Sequence, residues 1–123
     1  HVQIHDWVII GGQSGVHQFC RVGPHAMLGS NSVVNQDIPP YMLVDGNPGK
    51  PRSFNIEGLR RRGFSADRIA AIKAMHKYLY RDGMALEQAR TAMAELVRVH
   101  PEADSDIHTM LDFLAHSKRG IVR

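Results

Sequence analysis

Residues 2–38 read VQIHDWVIIGGQSGVHQFCRVGPHAMLGSNSVVNQDI, and an aliphatic residue recurs at every sixth position: Ile4, Ile10, Val16, Val22, Leu28 and Val34. Two places before each stands a second apolar or small residue, namely Val2, Val8, Ser14, Cys20, Ala26 and Ser32. A six-residue period belongs neither to an α-helix nor to an ordinary strand, and it marks a parallel β-helix built of hexapeptide coils. Inside each hexad the order inward, outward, inward is the alternation of a short pleated strand. Three hexads close one triangular coil, so residues eighteen apart stack in a column. The outward columns are then Gln3 over Arg21, Ile9 over Met27 and Gly15 over Val33, of which only the first is polar.

Two faces that carry Ile9, Met27 and Val33 outward would leave apolar area in water unless something packs there. A symmetric neighbour is the economical cover, which favours a homotrimer with grooves between subunits. The residue after each inward aliphatic is His5, Gly11, His17, Gly23, Gly29 or Asn35. Glycine and asparagine tolerate positive φ, so these positions read as the corners. His5 and His17 break that preference, and a histidine at a tight corner is a candidate for function.

The bulk composition, 43% hydrophobic and 22% charged over 123 residues, is that of a globular chain. No apolar run is long enough to cross a bilayer and the first residues do not form a signal sequence, so a cytoplasmic location is expected. The single Cys20 cannot close an internal disulfide and falls in the small-residue series of the core. The formal charge of +3 is mild, but Arg60, Arg61 and Arg62 cluster, as do Lys118, Arg119 and Arg123. Such clusters suit phosphates or an acidic partner. The chain begins at His1, already inside the repeat, and two coils are fewer than the ~3 repeats a stacked array needs. It therefore reads as a piece of a longer protein whose missing part is N-terminal.

From Asp37 to Pro51 inclusive there are four prolines and two glycines. Pro39 and Pro40 cannot donate to a further coil, which predicts that the β-helix ends there, with Tyr41, Met42, Leu43 and Val44 lying over the open core. Asn55–Arg62 reads as a short helix closed by Gly63, followed by one capped by Ser65 that stops at Gly83. A third runs to Pro101, and a fourth from near Ser105 to Gly120, burying Ile107, Leu111 and Leu114. Their apolar stripes predict a small helical bundle. The expected organisation is coils over 1–41, a cap and connection over 42–54 and a helical domain over 55–123.

Several stretches together resemble one family. They are Gly11-Gly12, Val16-His17-Gln18-Phe19-Cys20, Asp37-Ile38-Pro39-Pro40-Tyr41, Gly46-Asn47 and, most specifically, Asn55-Ile56-Glu57-Gly58-Leu59-Arg60-Arg61-Arg62-Gly63-Phe64. The chain resembles the C-terminal half of the UDP-N-acetylglucosamine O-acyltransferases, which catalyse the first step of lipid A biosynthesis. The resemblance implies a left-handed parallel β-helix followed by a helical bundle, and a homotrimer. It also implies transfer of a 3-hydroxyacyl group from acyl carrier protein to the 3-hydroxyl of UDP-N-acetylglucosamine. No cofactor is implied beyond the phosphopantetheine of the carrier. That chemistry needs a base for the hydroxyl, a donor for the oxyanion, cations for the diphosphate and an apolar slot for the acyl chain.

By the same resemblance the base is a histidine about one coil before His1, so no catalytic residue is expected within these residues and the isolated chain is expected to be inactive. His1 and Gln18 would lie by the sugar and acyl chain, His17 would support the site, and Gly12 would line the path of the acyl or phosphopantetheine group. Asn55, Glu57, Arg61 and Arg62 would form the nucleotide end, where Arg offers phosphate a planar fork; on a helix, Glu57 and Arg61 share a face. Ser30 stands where many relatives have the glycine that limits acyl length, which implies a shorter slot. Each of these residues is also readable as a corner or exposed ion-pair residue. Alternatives are the glucosamine N-acyltransferase of the same pathway, or a non-catalytic oligomerisation and carrier-docking module. A γ-type carbonic anhydrase shares the coils and holds zinc by histidines, but it lacks the helices; no metal site is expected here.

Overall fold

The computed structural model describes all residues, 1–123, and the chain forms two compact units. One comprises His1–Asn55 with Phe113–Arg123, the other Ile56–Asp112.

The first unit is built on six two-residue strands: β1 (Gln3–Ile4), β2 (Ile9–Ile10), β3 (Gly15–Val16), β4 (Arg21–Val22), β5 (Met27–Leu28) and β6 (Val33–Val34). They pair in parallel as β1 with β4, β2 with β5 and β3 with β6. The registers Gln3 to Arg21, Ile9 to Met27 and Gly15 to Val33 are the expected columns. In the second coil Cys20, Val22, Ala26, Leu28, Ser32 and Val34 are all buried, so both members of each hexad point inward. In the first coil Ile4 is 52% and Ile10 38% exposed, while Val2, Val8, Ser14 and Val16 are half-buried.

The corners differ from expectation. Positive φ falls on Trp7, Gln13, Phe19, His25 and Asn31, each three residues after an inward aliphatic and none of them glycine. Gly11, Gly23 and Gly29 are needed for room instead. A methyl group on Gly11 would strike the backbone of Ser30, and one on Gly23 would stand 2.5 Å from the nitrogen of Pro40. The next coil crosses the backbone where no Cβ can fit, so the glycines are steric and the backbone reverses two residues later.

Nor does the β-helix stop at the prolines. Ile38 bridges Val22 in parallel, and β7 (Met42–Gly46) pairs in parallel with β5 through Met27 to Leu43 and Leu28 to Val44. A partial third coil therefore follows at a spacing of sixteen instead of eighteen. Pro39 and Pro40 sit at its corner, where no ladder bond is required of them: the Gly23 N–H donates to Ile38 and the Tyr41 N–H to Pro24. The parallel stack ends when β8 (Gly49–Phe54) runs back antiparallel beside β7, tied by an Arg52–Asp45 ion pair. What had read as a cap and connection is thus a hairpin whose first strand belongs to the coil.

The last eleven residues also return to this unit, contrary to a helical domain running to 123. Asp37 holds them. Its N–H donates to Gly120, its carbonyl accepts from Val122, and its carboxylate accepts from Ser117 Oγ at 2.6 Å and from the Arg21 N–H at 2.8 Å. Ile121 and Val122 are buried by this docking.

The second unit contains α1 (Ile56–Arg61), α2 (Ala66–Tyr80), α3 (Leu86–Val99), a 3-10 turn (Pro101–Ala103) and the start of α4 (Asp104–Ala115). Gly63 closes α1 at φ +78°, and Ser65 Oγ caps α2 by accepting from the Arg68 N–H. Ala71, Ile72, Met75 and Leu79 of α2 are buried, as are Ala89, Met93 and Leu96 of α3. In α4 the buried residues include Ile107 and Met110, while Leu111 is only half-buried. Asp106, 2% exposed, receives both Nε and Nη2 of Arg68 at 2.8 Å. The fourth helix ends at Ala115, five residues before Gly120, because the chain there leaves for Asp37. No helix is long and apolar enough to cross a membrane.

Candidate functional site

The coil register brings three of the expected site residues to one corner. His1 and Phe19 stand eighteen apart, so they stack: their ring centroids lie 5.2 Å apart at an interplanar angle of 21°, and the Phe19 N–H donates to the His1 carbonyl. His17 and Gln18 precede Phe19 on the same corner, and all four side chains are exposed. His17 Nδ1 lies 3.0 Å from the Gln18 carbonyl oxygen. A carbonyl can only accept, so Nδ1 makes this contact as the donor, and in the neutral ring Nε2 is then the acceptor. The corner thus offers an imidazole acceptor, a second imidazole and a primary amide, a set suited to hydroxyl and carbonyl groups.

A second corner carries Gly12 and Ser30, again eighteen apart. The Asn31 N–H donates to the Gly12 carbonyl at 2.9 Å. Space around Gly12 is open, with nothing within 4 Å of the point where a Cβ would stand. Between the two corners runs the face of β3 and β6, whose outward residues are Gly15 and Val33. Gly15 presents no side chain beside Val33, whose Cγ2 stands 3.9 Å from the point where a Cβ would be and which is 43% exposed. The result is a strip with a polar end at His17 and Gln18, a floor of Gly15 and Val33, and Ser30 at the far corner.

The nucleotide-end residues fall differently. Asn55 is 7% exposed; its Nδ2 donates to the His25 carbonyl and its N–H to the Tyr41 carbonyl. It fastens β8 to the corner where Trp7, His25 and Tyr41 stack, a structural duty that the sequence did not reveal. Glu57, Arg61 and Arg62 fall in the second unit, with Glu57 and Arg61 on α1 and Arg62 just after it. Glu57 pairs with Arg60 at 3.7 Å rather than with Arg61. Both partners are well exposed, so the pair adds little stability.

Three contributors escaped the sequence reading. Phe19 is 56% exposed in a left-handed conformation, and its place beside His1 follows from the eighteen-residue column. Asp37 and Arg21 bind the returning tail: Arg21 donates to the Phe113 carbonyl at 3.1 Å and covers the Phe113 ring. No periodicity announces a contact across ninety residues. Cys20 is fully buried, and burial, then the Asp37 charge, pushes its thiol pKa up, which agrees with a core role.

Residues 37–122 match the family model described as UDP N-acetylglucosamine O-acyltransferase, domain 2. Among curated proteins, the chain is 57% identical over its whole length to the acyl-[acyl-carrier-protein]–UDP-N-acetylglucosamine O-acyltransferase of Verminephrobacter eiseniae, covering 47% of that protein. The crystal structure of the UDP-N-acetylglucosamine acyltransferase of Francisella novicida superposes with a TM-score of 0.91 at 38% identity, over 100% of this chain and 44% of that one. A structure of LpxA from Acinetobacter baumannii gives 0.90 at 39% identity, over 100% and 46%. The chain spans about half the length of the relatives it matches.

Proposed function

The chain belongs to the UDP-N-acetylglucosamine O-acyltransferase family, and we propose that it supplies one wall of an enzyme that moves a 3-hydroxyacyl group from acyl carrier protein to the 3-hydroxyl of UDP-N-acetylglucosamine. The observation that carries this reading is the strip between the two corners. Its polar end suits the sugar and the thioester carbonyl, and the exposed Val33 beside the bare Gly15 suits an aliphatic chain. Gly12 leaves the backbone open for the phosphopantetheine arm, and no other cofactor is invoked. His17 Nε2 accepts from a sugar hydroxyl, Gln18 donates to the carbonyl or its oxyanion, and His1 flanks the sugar.

Glu57, Arg61 and Arg62 serve the nucleotide end, Arg by forked bonds to the diphosphate. Asn55 is assigned to the same end by its place in the motif, and its Nδ2 also donates to the His25 carbonyl. In Ser30 the strip ends on a polar atom, so the acyl chain is shorter than with glycine at that place. The reading includes a left-handed coil, a helical bundle in the second unit, a cytoplasmic location and a homotrimer. The outward column of Ile9, Met27 and Leu43, with Val33 on the next face, supplies the apolar contact between subunits. The general base belongs on a coil stacked over Ile4 and Ile10, whose exposure fits such a neighbour.

The test is an acyl-transfer assay with carrier-protein thioester and UDP-N-acetylglucosamine. The intact protein that carries this chain turns over, the 123 residues alone do not, and Gln18→Ala in the intact protein lowers kcat/KM by about tenfold or more. Robust turnover by the 123 residues would remove the base from the preceding coil. Unchanged kinetics of Gln18→Ala would remove the strip as the site. Ser30→Gly should shift the preference among thioester donors towards longer chains; an unchanged preference takes Ser30 out of the account.

A further inference from the structure

The returning tail makes a cleft of about 450 Å³ against the polar face of the coil. It lies on the β1–β4 face, whereas the acyl strip follows the β3–β6 face. His1, Phe19, Arg21, Asp37, His116 and Lys118 line it. The one carboxylate among these side chains is already engaged. Asp37 is 1% exposed, one of its oxygens accepting from the Arg21 N–H and the other from Ser117 Oγ. The Lys118 ammonium sits in no ion pair of this unit. The Arg21 guanidinium is fixed by its stack on Phe113 and its bond to the Phe113 carbonyl, which engages one of its five N–H donors. A fixed guanidinium, an exposed ammonium, two imidazoles and the flat His1–Phe19 stack therefore face a space large enough for a small organic anion.

We propose that this cleft is a second phosphate site, which takes the phosphate or diphosphate group of a small ester, with Arg21 and Lys118 as its cationic ligands and the His1–Phe19 stack as a platform for the rest of the molecule. A carboxylate would meet the same charges, but a guanidinium and an ammonium lining one cleft of this volume suit the larger, multiply charged oxyanion. The proposal rests on the acyltransferase reading only for its candidate sources. These are the phosphate of the pantetheine arm and the diphosphate of the nucleotide sugar, the two phosphate esters that such a reaction brings to the protein.

The test is calorimetric titration of the intact protein with pyrophosphate at low ionic strength. A background variant, Arg61→Ala with Arg62→Ala, removes binding at the nucleotide end. In that background pyrophosphate still binds, Lys118→Ala weakens it by about fivefold or more, and Lys118→Arg restores it. Lys118 is exposed, so its replacement leaves the fold intact, and Arg21→Gln provides an independent second variant. Pyrophosphate affinity indifferent to both Lys118→Ala and Arg21→Gln would overturn the site, while leaving the acyltransferase reading untouched. Competition then separates the sources: displacement of pyrophosphate by pantetheine 4′-phosphate assigns the cleft to the carrier arm, and displacement by UDP assigns it to the nucleotide. Displacement by neither would overturn the proposal.

Discussion

Replacing Gly23 and Gly12 by alanine separates two explanations of the glycines in the coil. Neither residue has positive φ, so in both variants alanine restricts the unfolded chain and contributes about 0.4–1 kcal/mol of stability. At Gly12 nothing opposes that gain, because no atom lies within 4 Å of the new methyl group. At Gly23 the methyl would stand 2.5 Å from Pro40 N, 2.7 Å from Cδ and 2.8 Å from Cα. Carbon contacts are comfortable at ~3.5–4.0 Å, so the overlap approaches 1 Å. The opposing atoms belong to a proline ring and backbone, held by the bonds from Gly23 to Ile38 and from Tyr41 to Pro24. Such overpacking costs about 1–3 kcal/mol. The two variants should therefore differ by about 1–3 kcal/mol, Gly12→Ala being the more stable. Urea unfolding followed by circular dichroism, at one protein concentration because assembly would otherwise contribute, measures the difference. Equal shifts for the two variants would return the glycines to a conformational role and refute the steric reading.

Asp37→Ala should free the tail. It leaves the Arg21 N–H and the Ser117 hydroxyl without their acceptor, at about 1–3 kcal/mol for each donor, and hydrogen exchange of residues 117–122 should rise sharply while α2 is unchanged. Gln13→Gly should stabilise the coil by about 0.5–1 kcal/mol, because Gln13 holds φ +59° and glycine removes the Cβ strain; a destabilised variant in thermal unfolding contradicts this. Cys20 should resist maleimide in the native protein and react only on unfolding, since burial raises its pKa. His76 is buried, and desolvation, then Arg81, lowers its pKa below the ordinary 6.5. Above 6.5 both folded and unfolded forms are neutral; as pH falls from there through the lowered folded value, the unfolded state takes the proton first and stability declines. His76→Gln should flatten that acid limb of the pH–stability curve, and an unchanged limb places its cause elsewhere.

The period of six made the first two coils legible in full, register included, because every inward residue obeys it and a one-residue slip would expose them all. The third coil was legible too, though hidden. Ile38 and Val44 keep the six-residue spacing between themselves, but only four residues separate Val34 from Ile38. Pro39 and Pro40, directly after Ile38, read as a terminator because they cannot donate, whereas a corner asks for no donor. The corner reading failed for a related reason. Glycine answers two needs, positive φ and close approach, and composition alone does not distinguish them; Trp7, Phe19 and His25 carry the left-handed turns despite their side chains.

The site divides along the same line. Residues that owe their position to the coil register could be placed from sequence: His1 beside Phe19, Gly12 beside Ser30, and the Gly15–Val33 pair between them all follow from counting eighteen. Those whose position depends on a non-periodic contact could not. Asn55 sits in a motif whose chemistry suggests a ligand, yet its amide is bound to the His25 carbonyl. That bond would exist in any protein where β8 must be fixed to a coil corner. Its replacement should therefore impair folding and ligand binding together, whereas Gln18 and Lys118, exposed and held by the register or the tail alone, can be changed with the fold intact. For this reason the informative kinetic and binding variants lie on the coil corners and the tail.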